Sequence, residues 1–200
     1  MIHINLIFKL TVNKVVVNDN GGTKVVGDFS LLVNATPVVS GTATGFNAGI
    51  YTVGEAATIG YTGVISGDCA QDGTITLQVG QTKSCTITND DQASTLIIKK
   101  VVINDNVGTK IVSDFSFQIN NASAVNFESD GQNDITTNAG TYTIAEPAVS
   151  GYTTTYDNCT GVVVENGGQQ TCTITNNDVS PTSGFVTITK VVVNDNGSIK

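Results

Sequence analysis

The heptapeptide KVVVNDN at residues 14–20 recurs as KVVINDN at 100–106 and as KVVVNDN at 190–196. Three other segments occur twice in the same order, and they are YTVGE at 51–55 with YTIAE at 142–146, GYT at 60–62 with GYT at 151–153, and CTITND at 85–90 with CTITNN at 172–177. Ordered self-similarity over so long a spacing indicates tandem copies of one domain.

The copies divide the chain into five segments. These are a lead-in at 1–9, repeat 1 at 10–91, repeat 2 at 95–178, a linker at 179–184, and the first strand of an incomplete third repeat at 185–200. The join at 92–94 is too short to act as a flexible tether, so we expect the complete repeats to stack end to end. Because a single strand does not fold alone, we expect either that the chain is a piece of a longer array or that its last strand docks onto something else.

Each complete repeat has an all-β pattern. Short segments in which apolar and polar residues alternate lie between turn signals such as Asp72-Gly73. The composition is rich in valine, threonine, asparagine and glycine, which favour strands and turns. About seven short strands in each repeat predict tandem β-sandwich domains of the immunoglobulin-like type.

The charge and composition exclude several classes of function. The chain has nine lysines, no arginine, no basic cluster and a net charge of -8, so neither nucleic acid nor an anionic membrane surface is an expected partner. No apolar run approaches the roughly 20 residues that a membrane-spanning helix needs. His3 is the only histidine and lies outside both repeats, and no phosphate-binding glycine loop precedes a helix. We therefore expect no enzyme.

The four cysteines fall two in each repeat. Cys69 and Cys85 belong to repeat 1, and Cys159 and Cys172 to repeat 2. Pairing within each repeat is the simplest of the three possible connectivities, and two disulfides predict an oxidising, extracellular setting. A metal site is the alternative, but no Cys-x-x-Cys motif supports it and we assign no metal ligands.

Strand alternation places three polar residues of each repeat on an apolar face. Lys14, for example, is two residues beyond Val12 and four beyond Leu10, and residues two apart on a strand share a face. The residues placed in this way are Lys14, Glu55 and Asn89 in repeat 1, Lys100, Glu146 and Asn176 in repeat 2, and Lys190 in the third copy. Since an unpaired buried charge costs several kcal/mol, the three side chains of a repeat should meet in its core.

This order of lysine, glutamate, Gly-Tyr and asparagine resembles the Cna B-type domain, also called SpaA-like or prealbumin-like. The resemblance covers both complete repeats and implies a prealbumin-like β-sandwich of pili and adhesin stalks. It further implies an isopeptide bond, in which the lysine amine attacks the asparagine amide, ammonia leaves and the glutamate shuttles protons. Burial favours the neutral forms that this chemistry needs. The alternative is a buried lysine–glutamate ion pair beside the asparagine, and the disulfide candidates depart from the usual family pattern.

Two kinds of surface feature are further candidate sites, one for calcium and one for glycosylation. Oxygen-rich turns around Asp19, Asp105 and Asp195, together with Asp90 and Asp91, suit calcium, although Asn-Asp-Asn-Gly is also a plain hairpin turn. N-glycosylation sequons begin at four positions, and these are Asn34, Asn121, Asn158 and Asn196.

Three functions remain open. The first is an extracellular stalk, pilus or fibre of a cell-surface or secreted protein, whose partners are neighbouring repeats or identical subunits. The second is a filament subunit that donates strand 185–200, since Lys190 has no partner triad within the chain. The third is an adhesin for carbohydrate or protein, for which the lack of tryptophan is unfavourable.

Overall fold

A computed structural model describes residues 8–181 and 187–191. Repeat 1 contains the strands β1 (Phe8–Val17), β2 (Leu31–Val33), β3 (Thr36–Val38), β4 (Ala43–Phe46), β5 (Gly49–Glu55), β6 (Tyr61–Gly67), β7 (Thr74–Leu77) and β8 (Thr82–Asp91). Repeat 2 contains β9 (Ser94–Ile103), β10 (Ser116–Ile119), β11 (Val125–Asn126), β12 (Gln132–Thr137), β13 (Gly140–Tyr142), β14 (Ile144–Ala145), β15 (Tyr152–Asp157), β16 (Val162–Val164) and β17 (Gln169–Asp178). The described helices are two 3₁₀ turns, Val26–Asp28 and Val112–Asp114. The predicted all-β class is confirmed.

Each repeat is a two-layer β-sandwich. In repeat 1 a sheet of order β4-β1-β8-β6 faces a sheet of order β3-β2-β5-β7. In repeat 2 a sheet of order β12-β9-β17-β15 faces two smaller sheets, β11-β10-β14 and β13-β16. The apolar side chains from the inner faces form one core in each repeat, as expected for strands with one buried face.

The first and last strands of each repeat lie side by side and run parallel. β1 pairs with β8 from Lys9 opposite Thr82 to Val17 opposite Asp90, and β9 pairs with β17 in the same way. All other strand pairs in the described residues are antiparallel. The chain therefore enters a repeat at one end of the sandwich and leaves at the other.

Regular alternation along these strands determines which side chains reach the core. On β8 the residues Cys85, Ile87, Asn89 and Asp91 are buried, and the residues between them are more exposed. β17 repeats the pattern with Cys172, Ile174, Asn176 and Asp178. The same period of two turns Lys14 of β1 inward.

The two repeats stack directly on each other. Only Gln92 and Ala93 separate β8 from β9. The Ala139 N–H donates to the Asn20 carbonyl at 2.8 Å, and the Asn166 side chain donates to the Gly60 carbonyl at 2.5 Å. A Cβ atom on Gly21 would lie 2.6 Å from the Ala139 oxygen, so the close approach requires glycine there.

The segment that follows β17 is described only in part. Val179, Ser180 and Pro181 of the predicted linker belong to no strand, and neither do residues 187–191, in which Lys190 is exposed. Asp195 and Asn196 lie outside the described residues. Within the described part of the chain, no helix is long and apolar enough to cross a membrane.

Candidate functional site

The three polar residues predicted to meet in repeat 1 do lie together. Lys14 comes from β1, Glu55 from the end of β5 and Asn89 from β8. Lys14 Nζ donates a hydrogen bond to Asn89 Oδ1 and lies 2.9 Å from Glu55 Oε2. The lysine ammonium also lies 4.3 Å from the centre of the Phe29 ring, which caps it within the core.

Repeat 2 brings the equivalent residues together more tightly. Lys100 Nζ donates to both Glu146 Oε2 and Asn176 Oδ1. Asn176 Nδ2 in turn donates to Glu146 Oε1 at 2.6 Å, so every pair within the triad is in contact. The side chains of Lys100 and Glu146 are 0% exposed, whereas Glu55 in repeat 1 is 11% exposed.

Burial changes the acidity of both lysines. Loss of hydration lowers the pKa of Lys14 from its ordinary value, and the hydrogen bond and negative charge of Glu55 only partly oppose this effect. The pKa of Lys100 is lowered in the same way, against the opposing effect of Glu146. A lower pKa makes the neutral amine, which is the nucleophilic form, more accessible.

The arrangement places a potential nucleophile, an electrophile and a proton carrier in contact. A lysine amine touches a primary amide, and a carboxyl group lies against the amine in both repeats. Contact in a fixed orientation lowers the barrier to a reaction between an amine and an otherwise inert amide. The same geometry also satisfies a buried ion pair, so the contacts alone fit both predicted alternatives.

Two residues of the repeat 2 site were not predicted. Thr154 Oγ1 accepts a hydrogen bond from Asn176 Nδ2 at 3.1 Å and lies 3.4 Å from Glu146 Oε1. The Tyr156 hydroxyl accepts the Glu146 backbone N–H at 3.1 Å. The corresponding residues of repeat 1 are Gly63 and Ile65, so aligning the segments after GYT in the two copies could have revealed the difference.

The disulfides join the residues expected from the sequence. Cys69 is bonded to Cys85 and Cys159 to Cys172, and the described part of the chain has no free cysteine. Each bond ties the connection that follows β6 or β15 to the last strand of its repeat. Neither disulfide links the first strand to the last.

The aspartates considered for calcium take part in turns. Asp91 accepts the backbone N–H groups of Asp19 and Asn20 at 2.9 Å and that of Gly22 at 2.6 Å. Burial raises the pKa of Asp91, but these hydrogen bonds outweigh that effect and the pKa is lowered overall. Carboxylates of Asp19, Asp90 and Asp91 do converge within 4.8 Å. Since Asp91 is occupied by N–H donors, turn anchoring accounts for its position, and calcium stays a prediction.

Repeat 2 has the same turn anchor. Asp178 accepts the N–H groups of Asp105 at 2.9 Å and Gly108 at 2.5 Å. Its pKa is likewise lowered, because the backbone hydrogen bonds outweigh the opposing effect of burial. The importance of Asp91 and Asp178 as anchors was not predicted from the sequence.

The described asparagines that begin sequons lie at exposed turns. Asn34, Asn121 and Asn158 are exposed, and each has a positive φ between 51° and 60°. Asparagine tolerates this left-handed conformation better than most residues. Glycosylation at these positions stays a prediction.

Taken together, a parallel pairing of first and last strands, a two-layer sandwich and a buried Lys–Glu–Asn triad define a tandem prealbumin-like domain protein. The family model SpaA_2, described as "Prealbumin-like fold domain", matches residues 7–87 and 91–176. The chain belongs to this family, as the resemblance predicted. No curated protein matches the chain.

The chain is similar to several solved structures at low sequence identity. The Bacillus anthracis TIE protein is 20% identical, with a TM-score of 0.50 over 86% of this chain and 34% of its own. The present chain thus spans about a third of that protein. A C-terminal fragment of the pilus adhesin SpaC from Lactobacillus rhamnosus GG is 14% identical, with a TM-score of 0.42 over 88% of this chain and 99% of its own. Two B repeat units of the collagen binding protein of Staphylococcus aureus are 16% identical, with a TM-score of 0.36 over 89% and 56%.

Proposed function

We propose that the chain is an extracellular structural module, part of a stalk, pilus or fibre at a cell surface, in which each repeat is closed by a Lys–Asn isopeptide bond. The observation that carries the proposal is the position of the two triads. Each one connects the first strand of a repeat to its last strand, near the end where the chain leaves the sandwich.

This position determines how a pulling force would pass through a repeat. Force enters at the start of β1, reaches Lys14, crosses the bond to Asn89 and leaves within two residues at Asp91. The chain between Lys14 and Asn89, whose positions differ by 75 in sequence, would carry no tension. Without the bond, the same pull would shear β1 against β8 and extend the whole repeat. A brace at this position is the one that a stalk under tension requires.

The bond would form by balanced proton transfers within the triad. In repeat 2, Lys100 gives a proton to Glu146, and the neutral Nζ attacks Cγ of Asn176. The Nζ–Cγ bond forms and the Cγ–Nδ2 bond breaks, while Glu146 gives a proton to Nδ2 and takes one from Nζ. Ammonia leaves, and no further reactant is needed. The reaction occurs once in each repeat and is not a catalytic cycle.

An extracellular location is supported by the covalent chemistry of the cysteines. Both repeats contain a disulfide, and disulfides persist in oxidising surroundings. The exposed asparagine turns agree with a surface protein. Neighbouring repeats are the expected partners, because repeat 1 already holds repeat 2 through backbone hydrogen bonds.

Carbohydrate binding has less support than a structural role. The cavity of about 690 Å³ at the junction of the repeats is lined mainly by small and aliphatic residues. Tyr61 is the aromatic residue of this lining, and its hydroxyl is already hydrogen-bonded to Asn18 at 2.5 Å.

Strand donation to a neighbouring chain is a second candidate function, because Lys190 is exposed and residues 187–191 belong to no strand. The pairing of the first strands is unfavourable to it, since β1 and β9 already have a neighbouring strand on both sides.

Intact mass under denaturing and reducing conditions tests the proposal. We expect the protein to be lighter than its sequence by one ammonia for each repeat, and a digest to contain peptides that join Lys14 to Asn89 and Lys100 to Asn176. Glu55→Gln and Glu146→Gln should restore the lost mass in their own repeats. Glu165→Gln, at an exposed carboxylate outside both triads, is the matched control. A mass equal to the sequence would leave the triads as buried ion pairs.

A further inference from the structure

The two triads differ in one side chain that touches the reacting amide. On β15, Thr154 lies opposite Asn176, and on β6 the equivalent Gly63 lies opposite Asn89. The surrounding strands pair in the same way in both repeats. The copies therefore form a natural comparison in which a hydroxyl group is present in one and absent in the other.

In repeat 2 the hydroxyl helps to hold the amide in one orientation. Asn176 Nδ2 donates to Thr154 Oγ1 at 3.1 Å and to Glu146 Oε1 at 2.6 Å, which uses both of its hydrogens. The amide oxygen faces Lys100. The nitrogen that must leave is thus directed at the carboxyl group that must protonate it, and Cγ is presented to the amine.

Among the described residues of repeat 1, no side chain takes the place of Thr154 beside the amide. Gly63 offers no hydroxyl, and an added Cβ atom would lie 3.0 Å from Glu55 Oε1 and 3.1 Å from Asn89 Oδ1. Within the described residues, no hydrogen bond joins Asn89 Nδ2 to Glu55, and Glu55 is 11% exposed. The amide of Asn89 is therefore less constrained, and water has better access to the carboxyl group.

We propose that Thr154 is a positioning residue for isopeptide formation, and that repeat 2 closes before repeat 1. This inference rests on the proposed function, since it concerns the rate of the same bond. A hydrogen bond of ordinary strength that orients the amide corresponds to about a tenfold difference in rate. A newly made chain then passes through a state in which repeat 2 is braced and repeat 1 is still extensible.

The test follows both bonds in the same molecules. The full chain is synthesised in a cell-free system with a glutathione redox buffer, stopped with acid at intervals and digested, and the loss of ammonia is read from the peptides of each repeat. Thr154→Val removes the hydroxyl at nearly constant volume, and Thr154→Ser retains it. Thr153→Val is the matched control, because the side chain of this neighbouring threonine donates to the Asn177 carbonyl and, within the described residues, makes no hydrogen bond to the triad.

In the unmodified chain we expect the repeat 2 bond to form about tenfold faster than the repeat 1 bond. Thr154→Val should remove this advantage, whereas Thr154→Ser and Thr153→Val should keep it. The Cys159–Cys172 disulfide in the same digests reports whether repeat 2 has folded, so slow folding is distinguished from slow chemistry.

Two negative results have different meanings. If neither repeat loses ammonia at any time, the proposed isopeptide function is wrong. If both repeats lose ammonia at equal rates, or if Thr154→Val folds and reacts as fast as the unmodified chain, the bonds exist and only the role of Thr154 is overturned.

Discussion

Pulling a single molecule from its two ends gives the most direct measure of the proposed braces. With both isopeptide bonds in place, the chain between each lysine and its asparagine cannot extend. The perturbation is the double variant Glu55→Gln and Glu146→Gln, which removes the proton carriers and leaves the lysines and asparagines in place.

The structure gives the length of chain that each isopeptide bond would keep from extending. Lys14 and Asn89 are 75 residues apart, which corresponds to roughly 250 Å of extended chain at ~3.3–3.6 Å per residue. The Cys69–Cys85 disulfide closes a span of 16 residues, so an oxidised repeat should release roughly 50 Å less than a reduced one. Repeat 2, with separations of 76 and 13 residues, should behave almost identically.

The assay is force spectroscopy of the chain between two reference domains, with and without reductant. The unmodified chain should show only the steps of the reference domains. The double variant should show two additional steps of roughly 200 Å, which lengthen to roughly 250 Å after reduction. Steps of this length in the unmodified chain would refute the force path derived from the triads. An inextensible double variant would show that the glutamates are not needed for the bond.

Three other perturbations follow from the structure. Reducing both disulfides should lower the stability of each repeat by about 3 kcal/mol, the value for loops of this length, as measured by urea unfolding with and without reductant. Folding lowers the pKa values of Asp91 and Asp178. The stabilisation of the fold by these carboxylates is therefore complete above the ordinary pKa range of aspartate and is lost as pH falls through the lowered values. Asp91→Asn should flatten the acid limb of the curve of unfolding free energy against pH for repeat 1. Gly21→Val should separate the stacked repeats without unfolding the turn, since Val107 occupies the equivalent position of repeat 2 with φ 72°. Small-angle scattering and NMR relaxation should then report independent motion of the two repeats.

The contacts of the triads could be predicted because they depend on long, regular strands. β1, β8, β9 and β17 each run for ten residues without interruption. Because residues two apart share a face along the whole strand, the apolar residues of these strands predict that Lys14 and Asn89 point inward. The inward position of Glu55 followed from the same argument on β5, where it ends the strand.

Other features depend on pairings that the sequence does not display. The register that sets Thr154 against Asn176 arises only when β15 pairs with β17. The turn-anchoring role of Asp91 has no local signal, because its N–H donors lie in a loop about 70 positions earlier in the chain. The junction between the repeats depends on Ala139 and Asn166, which lie in two different loops of repeat 2 and have no local signal.

The presence of a disulfide in each repeat does not make a second covalent brace unnecessary, because the two bonds constrain different parts of the chain. Cys85 shares the inner face of β8 with Asn89, four residues away, and its disulfide ties β8 to the connection that follows β6. A slip of β8 by one residue would turn Asn89 outward, away from Lys14. The disulfide therefore helps to fix the register in which the triad is assembled, whereas the proposed isopeptide bond would join the first strand to the last. Since the disulfide lies wholly inside the segment that the isopeptide bond would shield from tension, it would stabilise the fold without carrying force along the proposed stalk.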